Sequence, residues 1–129
     1  MSYVAALALQ QALHARLSGA LEVPVLDAPA RGQAPPTWVQ IGPEEVRDAS
    51  DGSGGGAEHR LGITVFSTEA GFAAAKAVAV DICDALGGPA LPLVRGRLVG
   101  IRFLDARARR TGNVGLRRID LRFRARIEV

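Results

Sequence analysis

RRIDLRFRARIEV, residues 117–129, alternates with a period of two. Ile119, Leu121, Phe123, Ala125, Ile127 and Val129 fall on one parity, and Arg118, Asp120, Arg122, Arg124, Arg126 and Glu128 on the other. Successive side chains of a strand point to opposite faces, so this spacing predicts a half-buried strand. Its apolar side should lie on a core and its arginine side should face outward.

Upstream, Val99, Ile101 and Phe103 alternate within 97–105, and ARARRTGNVG (106–115) carries a TGN turn signal, so the last two strands are expected to form a hairpin. A strand at 59–67 places Leu61, Ile63 and Val65 on one side and Gly62, Thr64 and Phe66 on the other. Thr37–Ile41, with the single Trp38, reads as another strand, and Pro24–Leu26 as a short edge strand followed by a loop at 27–36. Ala6, Leu9, Leu13 and Leu17 repeat at helical spacing, predicting a helix from a Ser2 cap to about Ser18 that Gly19 ends. A second helix, capped by Ser67 or Thr68 and running to about Leu86, would bury Phe72, Ala75, Ala79, Ile82 and Leu86, with Gly87, Gly88 and Pro89 ending it.

This order is not a strict βαβ alternation. It predicts an α+β fold: one two-layer domain over residues 1–129, with a mixed, mostly antiparallel sheet of four to five strands and both helices packed on one face. GPEEVRDASDGSGGGAE (42–58) has four glycines between Asp51 and Ala57 and almost nothing apolar, so a flexible hairpin arm is expected there.

Aromatics make up only 5% of the 129 residues, which leaves a core thin in large side chains and predicts that association between copies supplies part of the stability. The net charge of +3 is unevenly placed. Residues 1–94 carry five basic and ten acidic side chains, whereas residues 95–129 carry eleven arginines against Asp105, Asp120 and Glu128. An acidic part joined to a basic part predicts electrostatic complementarity between copies or with partners. The single Cys83 excludes an internal disulfide. With no apolar run long enough to span a bilayer and no signal-peptide pattern at the N-terminus, a soluble protein of cytosolic origin without a membrane partner is expected.

Sites for chemistry are scarce. A P-loop needs Lys and Ser or Thr after its last glycine, but Ala57, Glu58 and His59 follow here, and Asp48, Asp51 and Glu58 would repel a phosphate. His14 and His59 share no ligand spacing with each other or with Cys83, and Cys83 beside the helical stripe reads as filling. The pairs Glu44–Glu45 and Asp81–Asp84 lack an apolar pocket that would tune them for acid–base work. No catalytic, cofactor or metal residue is assigned, and no enzyme is expected. Arg118, Arg122, Arg124 and Arg126, with Arg102 and Arg107 close to them, form a candidate subunit or lumen surface; Glu44, Glu45, Arg47, Asp48 and Asp51 form a candidate partner-binding arm. A basic DNA-binding module built on the same strand is the alternative, although no nucleic-acid motif or stacking platform accompanies it.

The segments also have a distinctive order over nearly the whole chain. A leucine and alanine helix is followed by PPTWVQIGPEE (35–45), then EHRLGITVFSTEAGFAAAKAVAVDICDAL (58–86) with its Ala75–Lys76 pair, a glycine-proline linker, RLVGIRFLDARARR (97–110) and the closing strand. This order resembles the tail-terminator (tail-completion) family of long-tailed bacteriophages and phage-derived gene transfer agents. The resemblance implies a cofactor-free structural subunit of a homo-oligomeric six-fold (hexameric) ring that caps the finished tail tube. Its implied partners are the tail tube protein and a head-connector or neck protein; an arginine surface lining the lumen would also face non-specific DNA passing through it. The implied location is the tail or neck of the virion, after a stay in the bacterial cytoplasm. No residue role is carried over by matching, and another neck or connector protein is a further alternative.

Overall fold

A computed structural model describes residues 3–26, 35–50, 54–112 and 115–129. The elements run α1 (Ala6–Ala20), β1 (Val25–Leu26), β2 (Thr37–Asp48), β3 (Gly56–Ser67), α2 (Ala73–Gly87), β4 (Arg97–Thr111) and β5 (Leu116–Glu128). They form an α+β fold with one open sheet in the order β1-β2-β3-β5-β4. Among the described residues only the β1–β2 pair is parallel.

The closing strand supplies the centre of the core. Ile119, Leu121, Phe123, Ala125 and Ile127 are all buried, and their β3 partners Val65, Ile63, Leu61, His59 and Ala57 share that face. Leu9, Leu13 and Leu17 of α1 and Ala75, Ala79, Ile82 and Leu86 of α2 close the same core, so both helices cover one side of the sheet. Arg16 of α1 joins the helices by donating to the carbonyls of Ala85 (3.2 Å) and Pro89 (2.8 Å), beyond the reach of α2's own ladder. No helix among the described residues is long and apolar enough to cross a membrane.

Several boundaries differ from the sequence expectations. The start of α1 is Ala6, with Ala5 before it and no side-chain cap, and Ser2 lies outside the described residues. Gly19 does not end α1. The helix continues to Ala20, and the buried Leu17 and Leu21 flank that last turn, with the Leu21 N–H on the Leu17 carbonyl at 2.8 Å.

Ser67 and Thr68 do not cap α2 either, because their hydroxyls are used elsewhere. Ser67 Oγ lies 3.0 Å from Thr37 Oγ1, Thr68 Oγ1 donates to the Pro36 carbonyl at 3.3 Å, and α2 begins only at Ala73.

Strand β2 does not stop at Ile41. Its register shifts between Ile41 and Glu44, across a cis Gly42–Pro43 bond, and pairing then resumes from Glu44↔Leu61 to Asp48↔Ala57. A Cβ at Gly62 would stand 3.2 Å from the Gly42 carbonyl oxygen, so glycine there admits the irregularity. Once β3 is held by β5, its other edge templates a strand whose side chains have little to bury.

Strand β4 likewise continues past Asp105 to Thr111, again because β5 pairs with it throughout. Two bulges, at Leu98/Gly100 and Phe103/Asp105, shift its parity. Leu98 rather than Val99 therefore enters the core, while Val99 is 46% and Phe103 48% exposed.

Candidate interaction surface

The face of the sheet opposite the helices is polar and uncovered. Antiparallel registers align its side chains across strands: Phe66, Thr64, Gly62, Arg60 and Glu58 of β3 face Arg118, Asp120, Arg122, Arg124 and Arg126 of β5. Beyond β5, Arg109, Arg107, Asp105 and Arg102 of β4 continue the rows. Cross-strand neighbours at this spacing interact directly.

Half of the predicted arginine surface, Arg118, Arg122 and Arg124, is therefore engaged with carboxylates of the same face. Arg118 donates through two nitrogens to Asp120, the shorter contact being 2.6 Å, and Arg109 approaches Asp120 to 3.6 Å. Arg122 grips Asp105 in a bidentate pair. Arg124 reaches Glu58 at 3.2 Å, and Arg60 reaches the same carboxylate at 3.3 Å. Five arginines thus share three carboxylates, and the face keeps a positive excess. Arg102 and Arg107 form no ion pair among the described residues. Arg118 also lies over the Phe66 ring at 5.2 Å, and Phe66 stacks on Trp38, so the aromatics of this face are committed within the molecule.

Asp120 is the hub. Burial pushes its carboxyl up, but hydrogen bonds from Arg118 and from Thr64 Oγ1 (2.9 Å), with the charges of Arg118 and Arg109, outweigh burial and hold it below its ordinary value. The Arg122 hydrogen bond lowers Asp105 in the same direction. Above Gly62 a hollow of about 440 Å³ opens, lined by Pro43, Glu45, Arg60, Thr64, Leu104 and Asp120 among others.

The arm residues divide. Glu44 pairs with Leu61 and turns toward the helix side, where Tyr3 donates its hydroxyl to Glu44 Oε1 at 3.0 Å. Glu45 pairs with Arg47 at 2.7 Å in solvent, and Asp48 accepts from Ser50 Oγ at 2.8 Å. Asp51 lies outside the described residues. The root of the arm is tied to the end of β5: Arg126 Nη1 donates to the Ala49 carbonyl (3.1 Å), and the Val129 N–H donates to Gly55 (3.2 Å). A Cβ at Gly56 would stand 2.9 Å from Arg126 Nη2, so glycine there makes room for the guanidinium.

His59 is the polar residue that sequence reasoning missed. It is fully buried among the inner-face side chains, and neither ring nitrogen has a hydrogen-bond partner among the described residues. Its placement opposite Ala125 on the apolar parity of β3 was the available signal. Burial lowers its pKa, and the negative charge of Glu44 offsets this only in part. A folded-state pKa below the unfolded value near 6.5 leaves stability intact above that pH and erodes it as pH falls, because the unfolded chain takes the proton first. Denaturant unfolding at pH 7, 6 and 5 should show the parent weakening by up to about 1.4 kcal/mol per pH unit from this group, and His59→Leu losing that slope. Equal slopes in the two proteins would contradict the assignment.

His14 and Cys83 lie on α1 and α2, apart from His59 on β3, and no cluster of three metal-ligating side chains occurs among the described residues. Burial, with the nearby Asp84 charge, raises the Cys83 thiol, which fits filling rather than nucleophilic use.

Comparison with known proteins adds the context that this geometry lacks. A family model described as tail completion protein gp17 matches residues 4–128. Among solved structures, a chain from a structure titled "Virion of native gene transfer agent (GTA) particle" is 48% identical, with a TM-score of 0.89. The match covers 99% of this chain and 100% of that one. No curated protein matches.

Proposed function

Because the chain belongs to the tail completion protein gp17 family, we propose that it is a structural subunit of a phage-like or gene transfer agent particle. Copies assemble into a six-fold ring that caps the tail tube and joins it to the head connector. The observation that carries this reading is the 48% identity, over essentially the full length of both chains, to a chain of a gene transfer agent virion. The aromatic-poor core and the charge split agree with it, because both favour assembly over life as a free monomer.

In the ring, the uncovered sheet face with Arg102, Arg107, Arg118, Arg122, Arg124 and Arg126 forms a subunit or lumen surface. Most of these arginines are engaged within the chain, so the face offers passing DNA a mild positive field with no means of reading sequence. This argues against a dedicated DNA-binding module. The arm, with Glu44, Glu45, Arg47, Asp48 and Asp51, reaches the tube or neck partner.

Deletion of the gene tests the reading. Electron microscopy of the particles should show heads and tails that fail to join, restored by the gene in trans. Joined particles at parental abundance would overturn it.

A further inference from the structure

We propose that a groove between α1 and α2 receives the edge strand β4 of a second copy of this chain, and that this head-to-tail contact builds the ring. The inference rests on the ring reading above and names the surfaces that make it.

The groove, of about 670 Å³, runs between the end of α1 and the exposed side of α2. Leu21, Val23 and Val78 give it an apolar floor, and Glu22, Asp81 and Asp84 line it with carboxylates. Asp81 and Asp84 are three residues apart on α2 and so share one side of the helix. None of the three carboxylates forms an ion pair among the described residues, in contrast to Glu58, Asp105 and Asp120 on the sheet face.

Strand β4 offers the complement. Among the described residues it pairs with β5 on one side only, which leaves a fifteen-residue edge with backbone groups open on the other. Arg102 and Arg107 lie on the uncovered side of the sheet and Arg110 and the half-exposed Phe103 on the helix side, so the edge carries positive charge on both sides. None of the three arginines forms an ion pair among the described residues, and Phe103 offers apolar surface to the groove floor. Arginines and bulges blunt an edge against neutral or basic strands, so the permitted partner is acidic. Unclaimed anions thus lie in one concave patch and unclaimed cations along one protruding edge of the same chain.

The two patches differ, so the contact is heterologous. Such a contact cannot give a two-fold dimer, and it builds a ring when its repeated rotation closes.

Two double variants test the pairing, Asp81→Lys with Asp84→Lys and Arg102→Glu with Arg110→Glu. Each should fold to the parental secondary structure by circular dichroism, since the replaced side chains form no ion pair within the chain, and any fall in melting temperature should follow the lost association. In sedimentation velocity at low ionic strength, each alone should self-associate about tenfold or more weakly than the parent through like-charge repulsion across the contact. An equimolar mixture should recover parental assembly, because each reversed groove then meets a strand of opposite sign. Parental assembly by either variant alone, or a mixture that fails to recover, overturns the groove–strand contact and leaves the ring standing. A parent protein that is itself monomeric overturns both.

Discussion

Replacing Leu13 with alanine should lower the free energy of unfolding by about 3 kcal/mol, read by denaturant titration at pH 7. Leu13 is 1% exposed in the middle of the α1 stripe, between the equally buried Leu9 and Leu17. Alanine is the stronger helix former, so the backbone of α1 would be kept and the loss would come from packing alone. A change below about 1 kcal/mol would mean that α1 is not clamped to the sheet as described.

The second large effect is expected at Asp120. Asp120→Ala removes the acceptor for Thr64 and both nitrogens of Arg118, leaving a buried hydroxyl and a largely enclosed guanidinium that keeps only its contact with the Phe66 ring among the described residues. With the carboxylate about one-quarter exposed, solvent recovers part of the loss, and a cost of about 2 kcal/mol is expected. Its acid dependence has a defined sign. The folded pKa is held below the ordinary 3.8, so the contribution is complete above that pH and disappears as pH falls through the lower folded value. Acid titration by circular dichroism should therefore show the parent and Asp120→Ala converging below pH 3.8, well apart from the His59 window. A constant gap across that range would reject the hub role. Asp120→Asn, which can still accept from Thr64, should retain part of the stability.

Periodicity in the sequence is legible where one face is buried, and the closing strand is the clearest case. Five apolar residues of one parity lie in the core, and the α+β layering follows from what must cover them. Strands held by a neighbour's backbone were not legible. Ala106, Arg107, Ala108, Arg109 and Arg110 bury almost nothing yet are paired one by one with β5, and Glu44–Asp48 are held by β3 in the same way. Val99 and Leu98 exchanged roles because a bulge shifts parity without leaving a signature in composition. The arginines were visible but their partners were not. Arg122 is 17 residues from Asp105, and Arg124 meets Glu58 across another strand pair, so only register brings these charges together. The family was legible from the order of segments, each of which is weak when taken singly.

The tie between the arm root and the last strand gives the protein a mechanical character. With Ala49 and Gly55 fastened to Arg126 and Val129, the connection between β2 and β3 is a cantilever clamped at its root. A pull on that cantilever acts along the lengths of β3 and β5, whose ladder runs from Gly56↔Glu128 to Ser67↔Arg117. Under such lengthwise loading the rungs share the strain in shear and do not open one after another like a zipper. A subunit fastened this way would transmit tension from a partner on the arm into its own sheet.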